Sequence, residues 1–89
     1  MFATSAGRAR IIRTKAATVG GFILGHRVGL PPHMDAWMQG DRYGAIVGFG
    51  RIEYEATEDA PAREIQIARV KTDKSGRTLN VPLDGLRFV

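Results

Sequence analysis

The sequence predicts an all-β fold: one small domain of about five strands, preceded by an extended basic N-terminal arm. Three observations carry that expectation. Apolar and polar residues alternate in several short runs after residue 42, the period of a half-buried strand. Eleven glycines and four prolines in 89 residues favour many turns and disfavour long helices. The charge is unevenly placed. Residues 1–33 hold Arg8, Arg10, Arg13, Lys15 and Arg27 and no acid, whereas residues 34–89 hold eight basic and all nine acidic residues, a net charge of −1. The arm is therefore assigned to 1–33 and the β domain to 34–89.

Within the arm, Met1 to Ala9 is small and polar and is expected to be mobile unless bound. Ile11 to Leu30 has β-branched and aromatic residues broken by glycines, with no clean period, and reads as extended with one short strand at Gly21 to Leu24. Its apolar stretch, Ala16 to Gly25, is about half of the roughly 20 residues a membrane helix needs. No small-x-small cleavage site follows before Arg27, so neither a membrane span nor a cleaved leader is expected. Pro31-Pro32 forces extended backbone and marks the boundary. Met34, just beyond it, offers an alternative start codon.

After the boundary, Met34 to Met38 reads as one helical turn and Gln39-Gly40-Asp41 as a tight turn. Tyr43, Ala45, Val47 and Phe49 alternate and predict a first strand. Ile52, Tyr54 and Ala56 against Glu53 and Glu55 predict a second. Thr57 to Ala62 is a solvated loop closed by Pro61. Glu64 to Thr72 is a third strand with a fault: Ile65 and Ile67 share a face and Val70 takes the other, which predicts a bulge or bend. Asp73-Lys74-Ser75-Gly76 predicts a hairpin with Gly76 at positive φ. Leu79, Val81 and Leu83 mark the fourth strand. The phase shift at Asp84-Gly85 predicts a helical turn over Pro82 to Leu86 before a last short strand.

This layout resembles an SH3-like small barrel over residues 39–89. The resemblance rests on Gly40-Asp41-Arg42-Tyr43-Gly44, the Asp73 to Gly76 hairpin and Val81-Pro82-Leu83-Asp84-Gly85-Leu86. It is similar to the KOW and Tudor-type barrels of nucleoprotein machines. It also resembles small bacteriophage and prophage proteins in which a Met-x-Gly-Asp-Arg-Tyr-Gly stretch, here Met38 to Gly44, precedes such a barrel. The fold hosts many unrelated functions and implies none by itself.

Few residues suggest chemistry. The absence of cysteine excludes disulfides, thiol catalysis and thiolate zinc sites. His26 and His33 flank Pro31-Pro32, with Asp35 nearby, but the spacing matches no known metal site and two exposed loop histidines explain them. Glu53 and Glu55 are placed on one strand face, either for acid–base work or as a charged solvent face. Ser5 and Ser75 have no neighbouring base. Gly48-Phe49-Gly50 is too short for a dinucleotide fingerprint. Ile65-Gln66-Ile67-Ala68 is similar to the active-site strand of the plasmid-borne type II dihydrofolate reductases, but Ala68 stands where they carry tyrosine. Trp37 and Tyr43 form either a ligand-binding aromatic platform or a cap on the barrel's open end.

The expected protein is therefore not an enzyme and takes no metal or cofactor. The resemblance and the arm imply a structural or interaction module of a phage-like virion or similar assembly, in the virion or the cytoplasm of a bacterial host. In that reading Arg8, Arg10, Arg13 and Lys15 dock on acidic groups of neighbouring subunits, with Phe22, Ile23 and Leu24 as an apolar anchor. The alternative is a nucleic-acid-binding barrel that sets the arm and Arg42, Arg69 and Lys71 on phosphates. A near-neutral domain behind the arm weighs against that alternative.

Overall fold

The computed structural model describes residues 8–89. The mobile lead-in expected over Met1 to Ala9 lies outside the described residues as far as Gly7, as does Ser5. The chain runs through β1 (Ala9–Thr14), β2 (Thr18–Val19), β3 (Phe22–Ile23), β4 (Arg27–Gly29), the helical turn α1 (Asp35–Met38), β5 (Tyr43–Tyr54), β6 (Arg63–Thr72), β7 (Thr78–Pro82), a 3-10 turn (Leu83–Gly85) and β8 (Arg87–Phe88). One antiparallel sheet has the order β7-β6-β5-β4-β8, with β1 also on β5. Strands β2 and β3 form a separate hairpin, turned by Gly20 and Gly21 at positive φ.

Strand β5 organises the sheet. Along one edge it pairs with β6, from Gly44 opposite Thr72 to Tyr54 opposite Arg63. Its other edge is divided between β4, opposite Tyr43 to Ala45, and β1, opposite Phe49 to Tyr54. The two strands expected at 43–49 and 52–56 are thus one continuous strand. Glycines inside it serve close approach and do not make a turn. A Cβ on Gly50 would lie 2.5 Å from the Ile12 carbonyl oxygen, and one on Gly44 would lie 2.5 Å from that of Lys71.

The bulge also sits elsewhere than expected. The register slips between Ile46 and Gly48, so Val47 on β5 is the extra residue, while β6 pairs with β7 without a break. The shift from Ile67 to Val70 that suggested a fault in β6 has another cause. Both residues are fully buried on opposite faces of that strand, so apolar side chains are needed on each.

The core consists of Phe22, Val28, Leu30, Ile46, Phe49, Ala68, Val70, Val81 and Leu86, with Val19, Met34, Trp37, Leu79 and Leu83 packed around it. Burying one such side chain contributes roughly 1.5–3 kcal/mol. Residues on both sides of the 33/34 division supply this core and this sheet. The physical reason is that β5 has an edge to satisfy beyond β6, and β1 and β4 satisfy it. The arm segment therefore forms three short strands and part of the core in addition to β1, where the sequence indicated extended chain with one short strand at Gly21 to Leu24; β3 is that strand.

The turns follow the sequence more closely. Strands β6 and β7 join through the Asp73 hairpin, with Gly76 at φ 74°. That hairpin is latched to the turn before β5. The buried Asp41 carboxylate accepts hydrogen bonds from the Ser75 backbone N–H at 3.1 Å, the Ser75 hydroxyl at 2.8 Å and the Arg77 guanidinium at 3.3 Å. The Asp73 N–H donates to the Tyr43 carbonyl at 3.0 Å.

Candidate anion-binding face

Directly opposed residues of an antiparallel sheet share a face, so the register sorts the side chains into two sets. One face carries Val28, Ile46, Phe49, Ala68, Val70 and Val81 and is the core. The other carries no acidic residue at any strand position. Across it run Arg87, Gly29 and Tyr43; then Arg27, Ala45, Lys71 and Thr78; then Gly48, Arg69 and Asn80; then Arg13, Gly50, Ile67 and Pro82; then an apolar row of Ile11, Ile52 and Ile65; and lastly Ala9, Tyr54 and Arg63.

Six cations therefore share this face. Arg27 pairs with Asp73 of the hairpin, and the Arg63 guanidinium lies 4.5 Å from the centre of the Tyr54 ring. Among the described residues no ion pair engages Arg13, Arg69, Lys71 or Arg87. The face is concave in the middle. Ile11 and Arg13 of β1 line one hollow of about 270 Å³ with Arg69 of β6 and Thr78 and Asn80 of β7. The Arg69 side chain lies over Gly48, whose missing Cβ would be 3.6 Å from Arg69 Cδ. Two unpaired guanidiniums that face one hollow repel each other, and an anion between them relieves that repulsion.

The two strand acids, Glu53 and Glu64, are held on the opposite face, at the end of the sheet away from the core. Arg51 donates to Glu53 at 2.8 Å and lies 3.3 Å from Glu64, and Arg10 donates to Glu53 at 3.2 Å. Arg51 and then Arg10 hold the Glu53 carboxyl below its usual range, which keeps it ionised at neutral pH. A proton donor is not what that environment makes of it. A hollow of about 750 Å³ lies at this end and is lined by Arg8, Arg10, Glu53, Tyr54, Glu55, Arg63 and Glu64 among others. Charges of both signs face it, so it favours no net charge in a ligand. Glu55 follows the last residue of β5, with its N–H on the Arg8 carbonyl at 3.0 Å.

The structure thus brings Arg13, Arg69 and Lys71 together from the residues the sequence suggested, and separates the rest. Arg10 is on the other face, bound to Glu53. Arg8 and Lys15 are exposed at the two ends of β1. Arg42 lies with its guanidinium 4.0 Å from the centre of the Trp37 ring. Phe22 is buried, its ring stacked on Phe88 at 4.5 Å between centroids and 9° between planes, so it is engaged inside its own chain. Ile23 and Leu24 are exposed. Arg27, Arg63 and Arg87 were missed; their signal was the period of two within each strand, which places Arg27 with Gly29 and Arg63 with Arg69 and Lys71.

The other candidates are quickly placed. His26 turns a ring edge toward Phe88, its Nδ1 buried without a hydrogen-bond partner, and His33 is exposed. Among the described residues no group of three or more His, Cys, Asp or Glu is close enough to hold a metal. Gln66 is exposed, whereas Ile67 is fully buried and presents nothing to a ligand. No described helix is long and apolar enough to cross a membrane. Comparison with protein-family models, curated proteins and solved structures returned no match in any of the three, so the site stands on its own geometry.

Proposed function

We propose that this protein is a non-enzymatic nucleic-acid-binding module whose basic sheet face lies along a sugar-phosphate backbone. The observation that carries the reading is the gathering of Arg13, Arg69, Lys71, Arg27 and Arg87 on one face that has no acidic residue at any strand position, with Arg27 alone of the five paired to an acid among the described residues, Asp73 of the hairpin. Net charge concealed this face, because the two strand acids, Glu53 and Glu64, lie on the other side of the sheet and the remaining acids of the domain are in loops and turns. Side chains on one face of a strand repeat at roughly 7 Å, a step that suits successive phosphates of an extended strand. The missing Cβ of Gly48 lets the Arg69 side chain lie close over the sheet, where it lines the hollow with Arg13.

The same reading treats the sheet as an opened SH3-like small barrel. The bulge at Val47, the close approaches at Gly44 and Gly50, and the 3-10 turn before β8 support it. A second reading, a structural module of a phage-like virion or similar assembly, is favoured by one observation. Ile23 and Leu24 remain 45% and 43% exposed beside buried Phe22, an apolar tip suited to a neighbouring subunit.

The test is binding to short oligonucleotides over a range of salt. Neutralising about four phosphates gives a log–log slope near −3 on single strands. Changing Arg13, Arg69 and Lys71 together to Gln should flatten that slope by about 2. Failure to bind any nucleic acid at low salt would remove this reading and leave the subunit-docking one.

A further inference from the structure

The basic face ends in a cleft. Tyr43 and Arg87, its last row, also line a hollow of about 350 Å³ with Gly29, Leu30, Pro32, Trp37, Arg42, Phe88 and Val89. No acidic side chain lines it. Tyr43 is 49% exposed, and Phe88, though stacked on Phe22 by one side, is 63% exposed. The Arg42 guanidinium covers the Trp37 ring at 4.0 Å, so the seat where a ligand's cation would stack is already filled from within the chain. What remains open is a tyrosine ring, an arginine plane backed by tryptophan, and a second arginine. Planar bases stack on aromatic rings and on guanidinium planes, and phosphates pair with arginine.

We infer that this cleft holds an unpaired base, and that the nucleic acid bound by the basic face is single-stranded. This rests on the nucleic-acid reading above and adds which nucleic acid it is. A strand that leaves the phosphate row at Lys71 and Arg27 reaches Tyr43 within one further step of the sheet. In a duplex the bases are stacked and paired inside, and none is free to enter a 350 Å³ cleft. An acidic peptide would satisfy the arginines but leave the stacking surfaces unused.

Trp37 is the only tryptophan, so its fluorescence reports on the cleft directly. The experiment titrates the full-length protein with an oligothymidylate of about ten nucleotides. Duplex DNA of equal length, inorganic polyphosphate and polyglutamate are titrated in parallel. Duplex carries the higher charge density, so a purely electrostatic surface binds it more tightly. The expected result is the reverse: oligothymidylate binds about tenfold tighter than duplex and changes Trp37 emission, whereas polyphosphate binds without that change. Tyr43→Ala should lower oligothymidylate affinity about tenfold and leave duplex affinity and the salt slope as they were. Circular dichroism of the variant is the control for an intact fold. Duplex binding at least as tight as single strand, with Trp37 emission unmoved, would overturn the inference while sparing the nucleic-acid reading. Polyglutamate competing as well as oligothymidylate, or no binding of any polyanion, would overturn both.

Discussion

The ring of Phe22 lies flat on the ring of Phe88, 4.5 Å away, and so joins the β2–β3 hairpin to the last strand, 66 residues further along the chain. Contacts of this kind make the N-terminal third a structural part of the domain. A chain that begins at Met34 loses Phe22, Val28 and Leu30 from the core together with both partners of one β5 edge. It should fail to fold, with no cooperative thermal transition. In the full chain Leu30→Ala should cost about 2–5 kcal/mol in denaturant unfolding. A folded 34–89 fragment would show that β5 tolerates a bare edge.

Gly76 isolates a backbone effect. Its φ is 74°, and a Cβ there would meet nothing within 4 Å. Gly76→Ala therefore adds no clash, only the strain of a left-handed conformation, about 1 kcal/mol or more. Gly76→Asn should cost less, because asparagine tolerates that region. Chemical denaturation of the two variants checks the order.

The latch on Asp41 predicts an acid limb in stability. The Ser75 hydroxyl, with the Arg77 guanidinium and the Ser75 N–H, outweighs burial and lowers the pKa of Asp41 from its ordinary value. A depressed folded-state pKa stabilises the fold fully above the unfolded value, near 3.9, and that contribution is lost as pH falls through the folded value. Wild type should melt above Asp41→Asn at neutral pH, and the gap should close below about pH 4. A gap that stays constant down to pH 2 would mean that the carboxylate's charge is not what holds the hairpin.

Arg10 and Arg13 separate a basic tail from a basic face. They are three residues apart, yet Arg10 bonds Glu53 on one side of the sheet and Arg13 opens onto the other with Arg69. Arg13→Gln should weaken oligonucleotide binding at low salt several-fold and reduce the salt slope by about 0.7 on single strands. Arg10→Gln should leave both nearly unchanged. Equal losses from the two variants would indicate a flexible tail acting by charge count.

The sequence by itself determined what depends on neighbours along the chain. Alternation at Tyr43 to Phe49 marked strand, Asp73 to Gly76 marked a hairpin with Gly76 left-handed, and the phase slip at Asp84-Gly85 marked the turn before β8. Each is a local preference of period or backbone conformation, so it is legible without the fold. Only the tertiary structure decided that Gly50 continues a strand, because the reason is the Ile12 carbonyl that lies against it from 38 residues away. Likewise, the bulge belongs to β5, and the apolar residues buried on both faces of β6 only mimic a slip there. The candidate site was the least legible part. Arg13, Arg27, Arg69 and Arg87 come from four strands, and only cross-strand register, set by long-range pairing, puts them on one face and Arg10, Glu53 and Glu64 on the other.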